Sequence, residues 1–381
     1  MRVAIVSESF LPTVNGVTTS VCRVLDELRR LGHDATVICP GPDAPAEYAG
    51  FAVHTVPSIA YRRFPLGMPS PLVQSVLADF APDVLHAASP FLLGAQAIAA
   101  AGRLGVATVA VYQTDVAGYA KRNRLGLTTA LAWRYVRWVH NGADITLAPS
   151  TASADDLAHA GILRVRRWGR GVDLTRYHPN NRSRADAVAL RESLSPDGEV
   201  VVGYVGRLAP EKQVERLAAL RGMEGIRLAV VGDGPSDVAV RKALRRMPVS
   251  WLGRRGGDDL GAAYAALDMF VHTGTEETFG QTVQEAHAAG LPVVAPNAGG
   301  PIDLVRHGVD GLLFDSDREL RDAVNLLAHD AGLRQRMGEA GRRAVLRSSW
   351  ADVCADLLRH YDAAIAHRAA AGLRLRRTVE L

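Results

Sequence analysis

The chain has 381 residues, of which 48% are hydrophobic and 22% charged, and a formal net charge of +4. That length accommodates two domains, the apolar fraction builds a sizeable core, and the composition excludes a globally disordered chain. Cys22, Cys39 and Cys354 are too scattered for a metal motif or a disulfide framework, and the basic excess is too diffuse for nucleic acid, although it suits small anions such as nucleotide diphosphates.

The opening Met1-Arg2-Val3-Ala4-Ile5-Val6-Ser7 is too short an apolar run for a signal peptide and reads as a first strand. No stretch approaches the ~18 continuous apolar residues of a membrane span. The expectation is a cytoplasmic protein, soluble or peripheral on the inner face of the cytoplasmic membrane. Further strands are expected at Ala35–Cys39, Ala52–Val56, Val84–Ala87, Ala107–Tyr112, Ile145–Ala148 and Val165–Trp168. Helical patterns lie between them at Val17–Leu31, Pro71–Phe80, Leu92–Leu104, Leu127–His140 and Ala152–Ala160. This alternation implies right-handed βαβ units and a mostly parallel sheet.

A polar stretch from about Asn180 to Gly198 reads as an interdomain region. A second series then follows, with strands at Val200–Val205, Arg227–Val231, Val249–Leu252, Met269–His272, Pro292–Ala295 and Gly311–Phe314. The expected domains are 1–180 and 198–350. Residues 351–381 form a C-terminal helical segment, helical to about Arg368, packed back on the first domain and frayed from Arg374. The fold class is α/β: two Rossmann-like, doubly wound domains facing across a cleft, with ligands beyond the carboxyl ends of the strands.

Three loops carry chemistry. In Glu277-Thr278-Phe279-Gly280-Gln281-Thr282-Val283-Gln284-Glu285, Glu277 precedes a helix that stops at Gly290-Leu291-Pro292. The free amides of that helix start suit a diphosphate or a sugar hydroxyl, and the carboxylates suit hydroxyl pairs. Gly206-Arg207-Leu208-Ala209-Pro210-Glu211-Lys212 follows a strand and opens a helix. It places two cations where a leaving diphosphate needs them. Lys212 is one of only three lysines in the chain. In Ser9-Phe10-Leu11-Pro12-Thr13-Val14-Asn15-Gly16, the Asn15-Gly16 pair permits a tight turn and a close backbone approach to phosphate. Gly232-Asp233-Gly234 and Gly299-Gly300 read as structural turns.

In one order the chain carries Pro12-x-x-Asn15-Gly16-Val17, Gly206-Arg207-Leu208-x-x-Glu211-Lys212, Gly232-Asp233-Gly234, Glu277-x-Phe279-Gly280-x4-Glu285, Ala289-Gly290-Leu291-Pro292 and Gly299-Gly300. This ordered set resembles the retaining GT-B glycosyltransferases of group 1, family 4. Ala4-Ile5-Val6-Ser7-Glu8-Ser9-Phe10-Leu11-Pro12 and Val111-Tyr112-Gln113-Thr114-Asp115-Val116 are similar to the actinobacterial GDP-mannose-dependent α-mannosyltransferases. The resemblance implies metal-independent transfer of mannose from GDP-mannose, with retention, to a glycolipid or lipoglycan acceptor. It assigns the diphosphate to Arg207 and Lys212, with Gly16 closing on the phosphate. The ribose falls to Glu285, the donor sugar to Glu277 and the amides of Thr278, Phe279, Gly280 and Gln281, and the base to the turn containing Arg255. The assigned catalytic residues are Arg207, Lys212 and Glu277.

Two positions depart from the family pattern. Asn15 stands where many members have glycine, and Gln113 where many have histidine. Gln113 can hold a sugar hydroxyl but cannot act as acid or base. Asp115 is the nearby carboxylate, with a solvated strand end as its competing reading. On the acceptor side, Tyr61-Arg62-Arg63-Phe64, Lys121-Arg122-Asn123-Arg124 and Trp133-Arg134-Tyr135-x-Arg137-Trp138 suit an anionic membrane surface, against the alternative of an ordinary arginine-rich surface. The rival functions are a transferase using UDP-glucose or UDP-sulfoquinovose, an epimerase of the same architecture, and a non-catalytic nucleotide-sugar-binding protein.

Overall fold

The computed structural model describes residues 1–61, 64–113 and 126–379. The chain forms two compact units: Met1–Arg170 with Trp350–Leu381, and Gly171–Ser349.

In the first unit the strands are β1 (Arg2–Ser7), β2 (Asp34–Pro40), β3 (Glu47–Tyr48), β4 (Phe51–Val56), β5 (Ser58–Tyr61), β6 (Phe64–Gly67), β7 (Val84–Ala88), β8 (Ala107–Val111), β9 (Ile145–Ala148) and β10 (Val165–Arg167). Eight of them make one sheet in the order β10-β9-β8-β7-β1-β2-β4-β3. Every pairing in it is parallel except β3 with β4. The central strands are buried along their whole length, as a sheet covered on both faces requires. Helices α1 (Gly16–Arg30), α2 (Pro71–Phe80), α3 (Leu92–Leu104), α4 (Gly126–Asn141) and α5 (Thr151–His159) fall where the 3.6-residue periodicity places them. The antiparallel β5–β6 hairpin and the two-residue β3 were not anticipated, being too short to show a period.

Two expectations about the chain's divisions are corrected. The segment 171–197, expected to close the first domain and link it to the second, belongs to the second unit. Val172, Tyr177 and Leu194 enter that unit's core, and the Arg182 and Arg191 guanidiniums both pair with Asp268. The final helix does not stop near Arg368 but runs on to Val379. Its Ala-, Leu- and Arg-rich sequence has high helix propensity, with Gly372 the single interruption after Trp350. This helix docks within the first unit: Cys354, Leu357, Tyr361 and Ala364, spaced three and four apart, lie in its core. The Tyr361 hydroxyl meets His86 Nδ1 at 2.6 Å, and Arg368 donates to buried Asp144 at 3.0 and 2.8 Å.

The second unit holds β11 (Val200–Val205), β12 (Ile226–Val231), β13 (Val249–Gly253), β14 (Met269–Val271), β15 (Val293–Pro296) and β16 (Gly311–Phe314). They form a six-stranded, all-parallel sheet in the order β13-β12-β11-β14-β15-β16. Its helices are α6 (Ala185–Leu194), α7 (Asp237–Leu244), α8 (Gly257–Ala265), α9 (Gln281–Ala288), α10 (Pro301–Leu304), α11 (Asp317–His329) and α12 (Ala331–Val345), and α13 is the final helix (Trp350–Val379) of the first unit. The strand order reverses between β11 and β14. That switch point opens a crevice at the carboxyl edge, where open parallel sheets bind ligands.

Candidate functional site

The residues at the switch point of the second sheet come from two loops. Arg207 and Lys212 follow β11; Glu277 and its neighbours follow β14. The expected helix opening at Glu211-Lys212 is instead a 3₁₀ turn, Pro210–Lys212, followed by a 3₁₀ stretch from Val214 to Leu220. Gln213, at φ +47°, separates the two and breaks any continuous α-helix.

Glycines zip these loops together. Gly206, at φ +155°, sits against the Tyr204 ring, whose hydroxyl donates to the Arg207 carbonyl. Behind it, the Asp233 carbonyl accepts the Leu208 N–H at 2.7 Å. A Cβ on Gly232 would lie 1.9 Å from the Gly206 carbonyl oxygen. On the other side, the Thr273 hydroxyl donates to the Lys212 carbonyl at 2.6 Å, joining the β14 loop to the β11 loop. Gly300 N–H donates to the Glu277 carbonyl at 2.6 Å. Gly232-Asp233-Gly234 and Gly299-Gly300 thus shape the loops that carry the charged residues.

The charged groups then meet. The Lys212 ammonium pairs with the Glu277 carboxylate, and both side chains are largely buried. His272, fully buried at the end of β14, places Nε2 3.8 Å from Glu277 Oε2. Its burial lowers the imidazole pKa to about 4, so it is neutral, and neither ring nitrogen has a hydrogen-bond partner among the described residues. Arg207 is exposed at the crevice.

Helix α9 starts at Gln281 with Gly280 as its N-cap at φ +100°, and no side chain caps it. Its first amides therefore have no intrahelical acceptor. One turn in, the Glu285 carboxyl is withdrawn from water, which raises its pKa to about 7; hydrogen bonds from Tyr264, Gln281 and Tyr177 oppose the rise. The Tyr264 bond is 2.9 Å. Gln281 Nε2 donates to the Gly171 carbonyl at 3.1 Å, while its Oε1 is buried without a partner. Phe279 is buried, and Thr278 is half-buried. Arg255 lies in the turn after β13, the edge strand two places from β11 and therefore about 10 Å along the sheet. The second sheet thus gathers Arg207, Lys212, Glu277 and the start of α9, with Arg255 at its margin.

The first unit has its own arrangement. Asn15 and Gly16 do not form the expected tight turn. Asn15 is the extended N-cap of α1, its Oδ1 accepting the Val17 and Thr18 N–H groups at 2.9 and 3.0 Å. That accounts for asparagine at this position. Gly16 is the first helical residue, and a Cβ there would come 2.9 Å from Arg170 Nη1. Arg170 also donates to Gln113 Oε1 at 3.1 Å. Arg170 was missed from sequence, although Trp168-Gly169-Arg170 after β10 has the same strand–Gly–Arg form as Val205-Gly206-Arg207 after β11. Asp115, Arg62, Arg63 and Lys121 to Arg124 lie outside the described residues.

Among the described residues no group of three His, Cys, Asp or Glu side chains could hold a metal ion, and no helix is long and apolar enough to cross a membrane.

Residues 14–176 match Glycosyltransferase Family 4, and residues 188–344 match Glycosyl transferases group 1. A protein of Mycolicibacterium smegmatis named GDP-mannose-dependent alpha-mannosyltransferase is 49% identical over 377 residues, 97% of this chain and 99% of its own. A sulfoquinovosyl transferase of Arabidopsis thaliana is 33% identical over 351 residues, 88% of this chain and 68% of its own. The crystal structure of Anabaena HepE in complex with UDP superposes with a TM-score of 0.79 at 22% identity, covering 95% of this chain and 100% of that one. The two Rossmann-like sheets are thus those of the GT-B fold, and the chain belongs to the family of group 1 glycosyltransferases.

Proposed function

We propose that this glycosyltransferase moves mannose from GDP-mannose, with retention of anomeric configuration, to a glycolipid or lipoglycan acceptor. The observation that carries the donor reading is the meeting of the β11 and β14 loops at the switch point of the second sheet. There two cations, a carboxylate and an uncapped helix start share one crevice. Arg207 and Lys212 neutralise the diphosphate. Glu277 and the amides from Thr278 to Gln281 hold the sugar, Glu285 takes the ribose hydroxyls, and the turn at Arg255 borders the base. Gly16 serves the phosphate, and Gln113, with Arg170 beside it, serves the acceptor or sugar side.

The 49% identity to the mannosyltransferase, against 33% to the sulfoquinovosyl transferase, favours mannose from GDP-mannose over sulfoquinovose as the group transferred. In this reading the acceptor oxygen bonds to the anomeric carbon on the face from which the diphosphate leaves. The acceptor proton passes to the departing phosphate oxygen. The charge that develops on the diphosphate is met by Arg207, Lys212 and the α9 amides, so the reading requires no metal ion.

A lipid acceptor places the enzyme at the anionic inner leaflet of the cytoplasmic membrane. Helix α4 supports this: it exposes Leu131, Arg134, Arg137 and Trp138, the tryptophan at 63%, and has no carboxylate along its length.

Thermal-shift titration with GDP, UDP and ADP tests the donor, followed by turnover with GDP-mannose, UDP-glucose and UDP-sulfoquinovose. GDP and GDP-mannose are expected to win; a larger shift and turnover with the uridine compounds overturns the reading. Co-sedimentation with anionic vesicles at low salt tests the membrane surface, which fails if no protein is carried down.

A further inference from the structure

At the amino edge of the second sheet, opposite the loops described above, lies a cavity of about 600 Å³. Asp268, Gly290 and Pro292 on its wall stand just before β14 and β15, which fixes its place at that edge. Its volume is within the about 300–1,000 Å³ of small-molecule sites. We propose that this cavity binds a small phosphorylated molecule, with the phosphate on Arg334, Arg342 and Arg343.

Charge is the first argument. Four arginines line the cavity against two carboxylates. Asp268 is already committed: it pairs with Arg182 and Arg191 and accepts the Val201 N–H. Glu339 reaches Arg343 only at 3.9 Å. Arg334 and Arg342 have no carboxylate in salt-bridge reach among the described residues.

Preorganisation is the second. Arg342 donates through Nη1 to the Tyr177 and Ala288 carbonyls at 2.9 and 2.7 Å, and through Nη2 to Leu174 at 3.2 Å. Arg334 donates through Nη1 to the Leu327 and Ala328 carbonyls at 2.5 and 3.0 Å. A guanidinium has five N–H donors, so Arg342 keeps about two and Arg334 about three for a ligand. Both are held in place by neutral acceptors, which fix their geometry without cancelling their charge. Burial lowers the Arg342 pKa, the mark of a cation short of counter-charge. Two forks held by backbone carbonyls and the exposed Arg343 suit the several oxygens of a phosphate. Pro179 and Pro292 supply an apolar wall for the rest of the molecule.

The site would speak to α9. The Ala288 carbonyl that Arg342 holds closes the helix whose start is the proposed donor site.

The test uses inorganic pyrophosphate, titrated calorimetrically into the full-length protein saturated with GDP. The variants are Gln335→Glu, which brings a negative charge to the wall, and Arg343→Gln, which removes an exposed cation; neither touches the carbonyls held by Arg334 and Arg342. Saturable binding near one equivalent is expected, weakened about tenfold or more in each variant, with GDP affinity unchanged. Absence of binding by the GDP-loaded protein, or equal binding by wild type and variants, overturns the proposal. The same titration in Arg207→Ala/Lys212→Ala separates the two sites: binding retained there supports the cavity even where the GDP reading fails.

Discussion

The Lys212 ammonium is paired with the Glu277 carboxylate, so the two loops at the switch point of the second sheet are joined by the same groups that the proposed reaction uses. Within a largely buried pair, removing one partner leaves the other charge uncompensated. Lys212→Ala is therefore expected to damage both the diphosphate contact and the Glu277 position. Turnover should fall by about 10²–10³, and Arg207→Ala, which leaves the pair intact, should fall with less loss of thermal stability. Steady-state rates beside melting curves check this; near-normal turnover in both variants would remove the diphosphate assignment.

Glu285 gives a pH dependence with a definite sign. Its pKa, raised by burial to about 7, leaves the carboxyl partly protonated at neutral pH. Only the ionised form offers all its lone pairs to two ribose hydroxyls. Donor affinity is thus expected to rise as pH increases through about 7, and KM for GDP-mannose to fall. Because the folded pKa lies above the unfolded value, the same group costs stability as pH rises from about 4.5 to 7. Glu285→Gln should flatten both profiles. A wild-type KM independent of pH between 6 and 8 would rule out this role.

How much of this was legible in sequence follows from what each feature needs. The βαβ alternation was legible because its periods are local, and the charged loops because glycine beside charge at a strand end is a short pattern. The pairing of Lys212 with Glu277 was not, since it depends on β11 and β14 being neighbours in the sheet although 63 residues separate the end of one from the start of the other. His272 passed as an ordinary strand end; its place beneath Glu277 exists only in three dimensions. The stretch from about Asn180 to Gly198 looked like a linker because its polar surface outweighs the anchoring Leu194, and residues 171–179 looked like the end of the first domain although Val172 and Tyr177 enter the second unit's core. Asn15 read as a turn because asparagine before glycine serves equally as a turn or as an N-cap.

The final helix is tied to the first sheet by a buried pair 275 residues apart in sequence, His86 Nδ1 and the Tyr361 hydroxyl at 2.6 Å. Both groups are withdrawn from water, and burial alone lowers the His86 pKa to about 4. Tyr361→Phe keeps the ring and deletes the bond, leaving the imidazole nitrogen unsatisfied. The expected cost is about 1–3 kcal/mol, read by urea unfolding, with KM for the donor unchanged. A donor KM that moves with the stability would show that this helix acts beyond the unit it packs on.

Arg170 connects Gly16 and Gln113 at the carboxyl edge of the first sheet. If it only braces Gln113, then Arg170→Lys should preserve activity, since an ammonium also donates to the Gln113 carbonyl oxygen. If it meets an anionic group during transfer, the planar fork is needed and lysine restores little. Our reading of Gly16 as the residue that closes on the phosphate, with Arg170 beside it, predicts the second outcome: about tenfold or greater loss of kcat in both Arg170→Ala and Arg170→Lys, at unchanged melting temperature. Full activity in the lysine variant would leave Arg170 a brace.

The last prediction separates loop shape from loop charge. A Cβ on Gly300 would lie 2.2 Å from the Phe279 carbonyl oxygen, a backbone atom that cannot swing aside, and the Gly300 N–H holds the Glu277 carbonyl. Gly300→Ala should therefore displace the segment Glu277–Phe279 without altering any charge. The expected result is a stability loss of about 1–3 kcal/mol together with a GDP affinity reduced about tenfold. Gly102→Ala is the control: Gly102 lies inside α3 of the first unit with open space around its Cβ position. There the added methyl should stabilise the helix by about 0.5–1 kcal/mol and leave GDP binding alone. If Gly300→Ala loses stability but binds GDP normally, the β14 loop does not depend on its packing against Gly300. The donor assignment would then rest on Arg207 and Lys212 without the Glu277–Gln281 segment.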